Sequence, residues 1–352
     1  MTITPNLYGF ATKELAQDAT IAYLLAWADP AYRESHPRLH TLGSELLRSL
    51  LQTQEVDLPQ IETLCIGTQV YRIDIVVLIN AGERGILLII EDKVSAQEGP
   101  NQIEGYIETA REKYSGQYDR DRLVAVYLKT GNESKASLPD KDKCGRFMRR
   151  DLLDILNRFQ DTGNVIVDDF RIHLQGWEDE TNRWKSASYD KWEWTQWEGF
   201  YADLEHRWDG YCAWDYIANP AGGFLACWLG LEDIETENGY ATLYMQIHDA
   251  KRLTVRLGSG TAVDKVRAPF MYQVLDALNE EDSDDIRIEK AGTFRGGGAA
   301  AVANVTFDEQ GPWFAVDRNG VLDMDATIER LRRLEELLQK VATRLTEQGI
   351  VS

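Results

Sequence analysis

The sequence predicts an α/β core with a mixed central sheet, followed by an α+β domain with an antiparallel sheet. Three observations carry that reading. Helical and strand periodicity alternate over residues 12–160 in the order helix, strands, helix, strand, helix. Beyond residue 195 short strands come in runs, each closed by a helix. Between these regions, residues 161–195 form a strongly charged stretch holding Trp177, Trp184, Trp192 and Trp194. A chain of 352 residues accommodates two ordinary domains. Domains are therefore expected at 1–165 and 196–352, joined by a connecting region at 166–195.

The first helix is expected over 12–28, where Leu15, Ala19, Ala22 and Ala26 recur at helical spacing, Thr12 can cap the start and Asp29-Pro30 ends the run. Leu42, Leu46, Leu47, Leu50 and Leu51 predict a second helix over 40–53. Residues 63–79 have strand character throughout, and 85–91 form the next strand. Asn80-Ala81-Gly82-Glu83-Arg84-Gly85 between them is a turn, so the two runs make a hairpin. A helix over 99–114, a strand at 123–128, a Lys- and Gly-containing loop and a helix at 147–160 complete the core.

The second domain opens on a helix over 195–207, where Thr195 and Glu198 have capping-box spacing. Strands are expected near 211–217, 223–229, 240–248 and 251–257, then a helix over 264–279. Further strands near 286–290, 300–307 and 313–317 lead to a long helix over 325–347. Ile328, Leu331, Leu334, Leu337 and Leu338 give that last helix an apolar stripe suited to core packing.

Composition excludes several classes. No segment approaches the roughly 20 apolar residues of a membrane span, and the N-terminus lacks a basic stretch followed by an apolar run. The expectation is a soluble, unprocessed, cytoplasmic protein with no membrane partner. Cys65, Cys144, Cys212 and Cys227 are scattered, which suits reduced thiols and not a zinc site. His36 and His40 have helical metal-pair spacing, but Pro37 lies between them and no Glu accompanies them.

The formal net charge of −20 is unevenly spread. Residues 111–150 hold 11 Lys/Arg against 6 Asp/Glu, whereas 1–110 hold 7 against 15 and 151–352 hold 20 against 37. The one basic stretch is either a phosphate-facing surface or a solvated face, interrupted by Asp140 and Asp142.

Chemistry concentrates just before it. Asp74 stands alone among apolar residues in Tyr71-Arg72-Ile73-Asp74-Ile75-Val76, where a carboxylate is costly to bury without a partner. The run Ile86-Leu87-Leu88-Ile89-Ile90 ends in Glu91-Asp92-Lys93. Strand alternation puts Glu91 and Lys93 on one face and Asp92 on the other, and hairpin pairing brings Asp74 toward Glu91. Asp74 and Glu91 are hard oxygen donors suited to Mg²⁺ or Mn²⁺. Lys93 can orient or deprotonate a water, or stabilise a charged transition state. By themselves these residues also fit a surface hairpin with one salt bridge. On the next helix, Gln102 and Tyr106 lie four residues apart on one face, where they can position water or substrate.

Arg72-Ile73-Asp74, Ile90-Glu91-Asp92-Lys93 and Gln102-x-x-x-Tyr106 together resemble the PD-(D/E)XK nuclease superfamily, in particular bacterial members with RecB-type motifs. The resemblance covers residues 8–130 and departs from the pattern at Ile73, where Pro is usual. It implies a restriction-endonuclease-like core and metal-dependent hydrolysis of DNA, endonucleolytic in the favoured form. Lys13-Glu14-Leu15-Ala16-Gln17-Asp18-Ala19 matches the segment that carries a further metal-binding glutamate in such nucleases, so the implied ligands are Glu14, Asp74 and Glu91, with Lys93, Gln102 and Tyr106 serving the water. The alternative for Glu14 is an exposed first-turn acid favoured by the helix dipole. The acidic second domain suggests regulation, docking onto a protein partner or self-association, as in effectors of antiviral defence or restriction systems. RNA cleavage, and an inert nuclease-fold module that binds nucleic acid or protein, are the competing readings.

Two features are discounted. Gly292-Thr293-Phe294-Arg295-Gly296-Gly297-Gly298 lacks the Gly-Lys-Ser/Thr ending of a phosphate loop and reads as a strand connection. Trp192, Trp194, Trp197 and Trp208 could stack on bases but suit core packing better.

Overall fold

The computed structural model describes residues 5–11, 13–99, 101–219, 222–236, 239–248, 252–259, 268–281, 285–294, 297–307 and 312–349. The chain forms two compact units, one of Met1–Asn132 with Ser137–Glu180, the other of Glu133–Ala136 with Thr181–Ser352.

The first unit opens on α1 (Glu14–Ala26) and α2 (Pro37–Gln52). Lys13 occupies the N-cap of α1, and the expected cap Thr12 lies outside the described residues. Pro37 starts α2 three residues earlier than the leucine spacing predicts, because proline at the first helical position gives up a donor the helix does not use. α1 and α2 cross at Gly43, where an added Cβ would stand 2.6 Å from the Ala28 amide nitrogen and 2.7 Å from the Leu24 carbonyl oxygen. Both are backbone atoms, so Gly43→Ala is expected to cost about 1–3 kcal/mol and to lower the melting temperature, as calorimetry would read.

The expected single run over 63–79 is two strands, β1 (Leu64–Val70) and β2 (Ile73–Ile79). Between them Tyr71 and Arg72 turn the chain at φ 55° and 70°, a left-handed pair that normally recruits Asn or Gly. Without those residues the turn leaves no mark in the sequence. β3 (Ile86–Lys93) pairs antiparallel with β2 and is buried along its whole length. After α3 (Gln102–Lys113), β4 (Leu123–Lys129) pairs parallel with β3, and the unpredicted four-residue β5 (Gly145–Met148) pairs parallel with β4. The order β1-β2-β3-β4-β5 is a mixed sheet.

Strand alternation sorts the side chains. Ile75, Val77, Leu88 and Ile90 join a core with α1, α2, α4 (Arg149–Arg158) and α5 (Val165–Asn182). Val76, Leu78, Leu87 and Ile89 face a smaller core that includes Ile103 and Ala110 of α3. α5 occupies a stretch in which no element was predicted. Its Val167, Phe170 and Leu174 are buried at helical spacing.

The second unit is α+β. α6 (Trp194–Arg207) begins at Glu193, whose amide donates to Gln196 Oε1 at 2.8 Å, so Glu193 and Gln196 fill the cap positions expected of Thr195 and Glu198. β6 (Cys212–Ile217), β7 (Phe224–Thr236), β8 (Gly239–His248) and β9 (Arg252–Ser259) precede α7 (Ala268–Glu280). The expected start of that helix at 264–267 lies outside the described residues. β10 (Ile286–Lys290), β11 (Ala299–Phe307) and α8 (Met324–Glu347) follow.

The six strands form an antiparallel sheet in the order β10-β11-β9-β8-β7-β6. Gly230, at φ 55°, takes the bulge that offsets β7 against β8. The strand expected at 313–317 is absent among the described residues, and Val316 makes only an isolated bridge to Leu322. Trp192, Trp197 and Trp208 are buried in this unit's core with the α8 stripe, which removes them from base stacking. No helix among the described residues is long and apolar enough to cross a membrane.

Candidate active site

The β2–β3 register, which pairs Ile75 with Ile90, places Asp74 opposite Glu91 one step further along. Glu91 follows Leu87 and Ile89 onto the α3 side of the sheet, and Lys93 joins it there in an ion pair. Glu91 is 1 % exposed, and neither of its carboxylate oxygens accepts a hydrogen bond from a donor in satisfactory geometry. Burial is the main cause that pushes its pKa up to about 7; Lys93 opposes this and the neighbouring Asp74 adds to it.

Lys93 itself is held above its ordinary pKa. Burial works against the ammonium, but Glu91, Asp74 and Glu14 outweigh it. In this arrangement Lys93 is a cation at neutral pH, suited to stabilising negative charge and unsuited to taking a proton.

Asp74 is partly buried. Its Oδ2 accepts from the Asp92 amide at 3.0 Å and its Oδ1 from Gln69 Nε2 at 2.9 Å. Tyr106, from α3, has its pKa raised by burial, with Glu91 and Asp74 adding to the effect against Gln102. Gln102 Oε1 accepts from the Gly99 amide at 3.1 Å while its Nε2 donates to Tyr106 Oη at 3.0 Å. Both ends of the Gln102 amide are thus engaged. Gln102 orients Tyr106 and leaves the phenolic hydrogen available to an acceptor.

Glu14 comes to the same end of β3, with Oε1 accepting from the Val94 amide at 3.2 Å. It does not complete a three-carboxylate set: among the described residues no group of three or more His, Cys, Asp or Glu could hold a metal ion. The donor chemistry nevertheless fits a small hard cation, since Mg²⁺ is commonly held by one or two carboxylates with water and phosphate completing the shell. Glu91, buried beside Asp74 and ion-paired with Lys93, is the carboxylate such a cation would satisfy.

Sequence reasoning passed over a second layer behind these residues. Asp92, on the α1 side, accepts from Gln17 Nε2 at 2.6 Å, and Gln17 Oε1 accepts from Thr130 Oγ1 at 2.7 Å. Asp18 is buried beside Asp92, and both carboxyls are raised in pKa, chiefly by burial. The spacing of Glu14, Gln17 and Asp18, three and four residues apart, is the signal that could have found this face. For Gln69 the sequence carries no signal.

The basic stretch is largely engaged within its own unit. Arg149 donates to Thr130 O at 2.6 Å and pairs with Glu178, Arg150 also pairs with Glu178, and Lys143 pairs with Glu104. His36 contacts the rings of Trp27 and Tyr32.

A mixed sheet with an acidic strand pair, an adjoining Lys and a Gln/Tyr helix defines a class of nuclease-like folds. A family model described as the PD-(D/E)XK nuclease superfamily matches residues 12–198, more than half of the chain, and the protein belongs to that superfamily. No curated protein and no solved structure shows a significant match.

Proposed function

We propose that this protein is a Mg²⁺- or Mn²⁺-dependent nuclease that hydrolyses phosphodiester bonds of DNA, with Asp74 and Glu91 as metal ligands, Glu14 turning from the Val94 amide to join them when the cation binds, and Lys93, Gln102 and Tyr106 serving the reacting groups. The observation that carries this is Glu91, buried beside Asp74 and ion-paired with a charged Lys93. A bound divalent cation would neutralise phosphate charge and acidify the attacking water. Lys93 would hold its ammonium toward a phosphate oxygen, and its raised pKa keeps that charge in place through neutral pH. The Tyr106 hydroxyl, fixed from behind by Gln102, would donate to an oxygen of the substrate or to a carboxylate.

On this reading the protein is a RecB-type member of its superfamily, and the acidic second unit serves as a regulatory or docking domain, with the effector role in antiviral defence or restriction as its setting. The unit's own fold and its lack of a comparable carboxylate and lysine motif in the sequence support that division.

The test is cleavage of supercoiled, linear and single-stranded DNA and of RNA with Mg²⁺ or Mn²⁺, with and without the products of neighbouring genes. Nicking of supercoiled DNA that Lys93→Ala lowers by on the order of 10²–10³ is expected. Cleavage of RNA alone would move the substrate. Inertness on every substrate, with no cation binding, would leave a binding module.

A further inference from the structure

Asp74 is held by two donors from two different strands. One is the Asp92 amide of β3; the other is the side chain of Gln69, on the edge strand β1. Gln69 lies between the pairs Thr68↔Ile75 and Val70↔Ile73, so it stands across from Asp74. Its backbone sits at φ 56°, in the left-handed region that a residue with a long side chain rarely adopts. The same Nε2 also donates to Asp18 Oδ2 on α1 at 2.9 Å. An amide nitrogen has two hydrogens, and here each meets a carboxylate. Between two carboxylates only the NH₂ end of the amide can face inward, which fixes which way the group lies.

The chemistry of that choice matters. Asp18 and Asp74 flank the amide, and an Arg or Lys at this point would cancel the negative charge that attracts a cation. A neutral double donor holds the carboxylates in place and leaves their charge intact. A Glu would only add a further acceptor. Outer groups of this kind set the orientation of metal-binding carboxylates and commonly govern affinity by 10–100-fold.

We propose that Gln69 is a positioning residue of the candidate site: its amide ties Asp18 of α1 to Asp74 of β2 and sets the Asp74 carboxylate in the orientation that takes a divalent cation. This rests on the nuclease reading given above. The left-handed backbone at Gln69 is then the conformation that lets an edge-strand side chain reach both carboxylates.

The test compares wild type, Gln69→Met and Gln69→Asn by calorimetric titration of the full chain with Mn²⁺, with circular dichroism to establish folding. Met keeps the length and removes the donor; Asn keeps the amide and loses the reach. Both are expected to bind Mn²⁺ about tenfold more weakly, since each breaks the bridge. A residue that only supported the fold would change the unfolding midpoint and leave the affinity of the folded protein alone.

Wild-type affinity in Gln69→Met overturns the proposal, and so does wild-type affinity in Gln69→Asn, because then spanning both carboxylates is not what matters. A double-mutant cycle of Gln69→Met with Asp18→Ala, read by urea unfolding without cation, tests the bridge independently of metal. Coupling between the two supports it and additivity overturns it. If wild type itself took no Mn²⁺, the nuclease reading would fall and the positioning role with it, and the cycle would still report whether the bridge exists.

Discussion

In cation-free protein the melting temperature is expected to fall as the pH is raised from about 5 to about 8, and Glu91→Gln is expected to remove a large part of that fall. The sign follows from burial. In the folded chain Glu91 titrates at about 7 against an ordinary 4.5. Between those values the folded state holds a proton that the unfolded state has released. The associated stability is complete below the unfolded value and is lost as the pH rises through the folded one, by about 3 kcal/mol at most. Asp18 and Asp92 are raised in the same direction, so a residual slope is expected in the variant.

A bound divalent cation favours the ionised carboxylate, so added Mn²⁺ should raise the melting temperature more at pH 8 than at pH 5. Glu91→Gln should lose that response together with cleavage, by on the order of 10²–10³ or more. A melting temperature flat over this pH range in wild type would contradict the electrostatics described for the site.

Glu205→Ala is expected to be the most damaging single change in the second unit. Glu205 is buried on α6, where Oε1 accepts from Ser134 Oγ at 2.6 Å and from the Lys135 amide at 2.9 Å, while Oε2 takes Trp214 Nε1 at 3.3 Å. Truncation leaves three donors without this acceptor, of which the Ser134 hydroxyl and the Trp214 indole are buried, a loss on the order of 3 kcal/mol. Hydrogen exchange at the Lys135 amide should rise sharply, with smaller changes elsewhere. Glu205→Gln retains one carbonyl acceptor and should fall between. Unchanged protection at Lys135 in the Ala variant would show that the segment is held by something other than Glu205.

The sequence disclosed the site where a period and a chemical type coincide. Glu91 and Lys93 on one face and Asp92 on the other follow from alternation, and Gln102 with Tyr106 follows from helical spacing; the structure brings Glu91, Lys93, Gln102 and Tyr106 to the α3 side of the sheet and leaves Asp92 on the α1 side. What escaped was structure made by geometry without a residue signature. The Tyr71–Arg72 turn bends without Asn or Gly, β5 is only four residues long, and the helical spacing of Val167, Phe170 and Leu174 is hidden among tryptophans and charges. Gln69 escaped for a different reason. Its partners are 51 and 5 residues away on separate elements, and only the folded sheet brings them within reach.

Residues 133–136 fold with the second unit although they lie between β4 and β5, so the chain crosses the border between the units three times. Neither half can therefore be exchanged through a single junction. A graft of β1–β5 onto another protein would carry the Ser134 hydroxyl and the Lys135 amide away from Glu205, and would need a rewritten loop or a new acceptor to go with them. Recombination would pass on the mixed sheet and the acidic half most readily as one inherited piece, and a change in the second half has a covalent route to the strand beside Glu91.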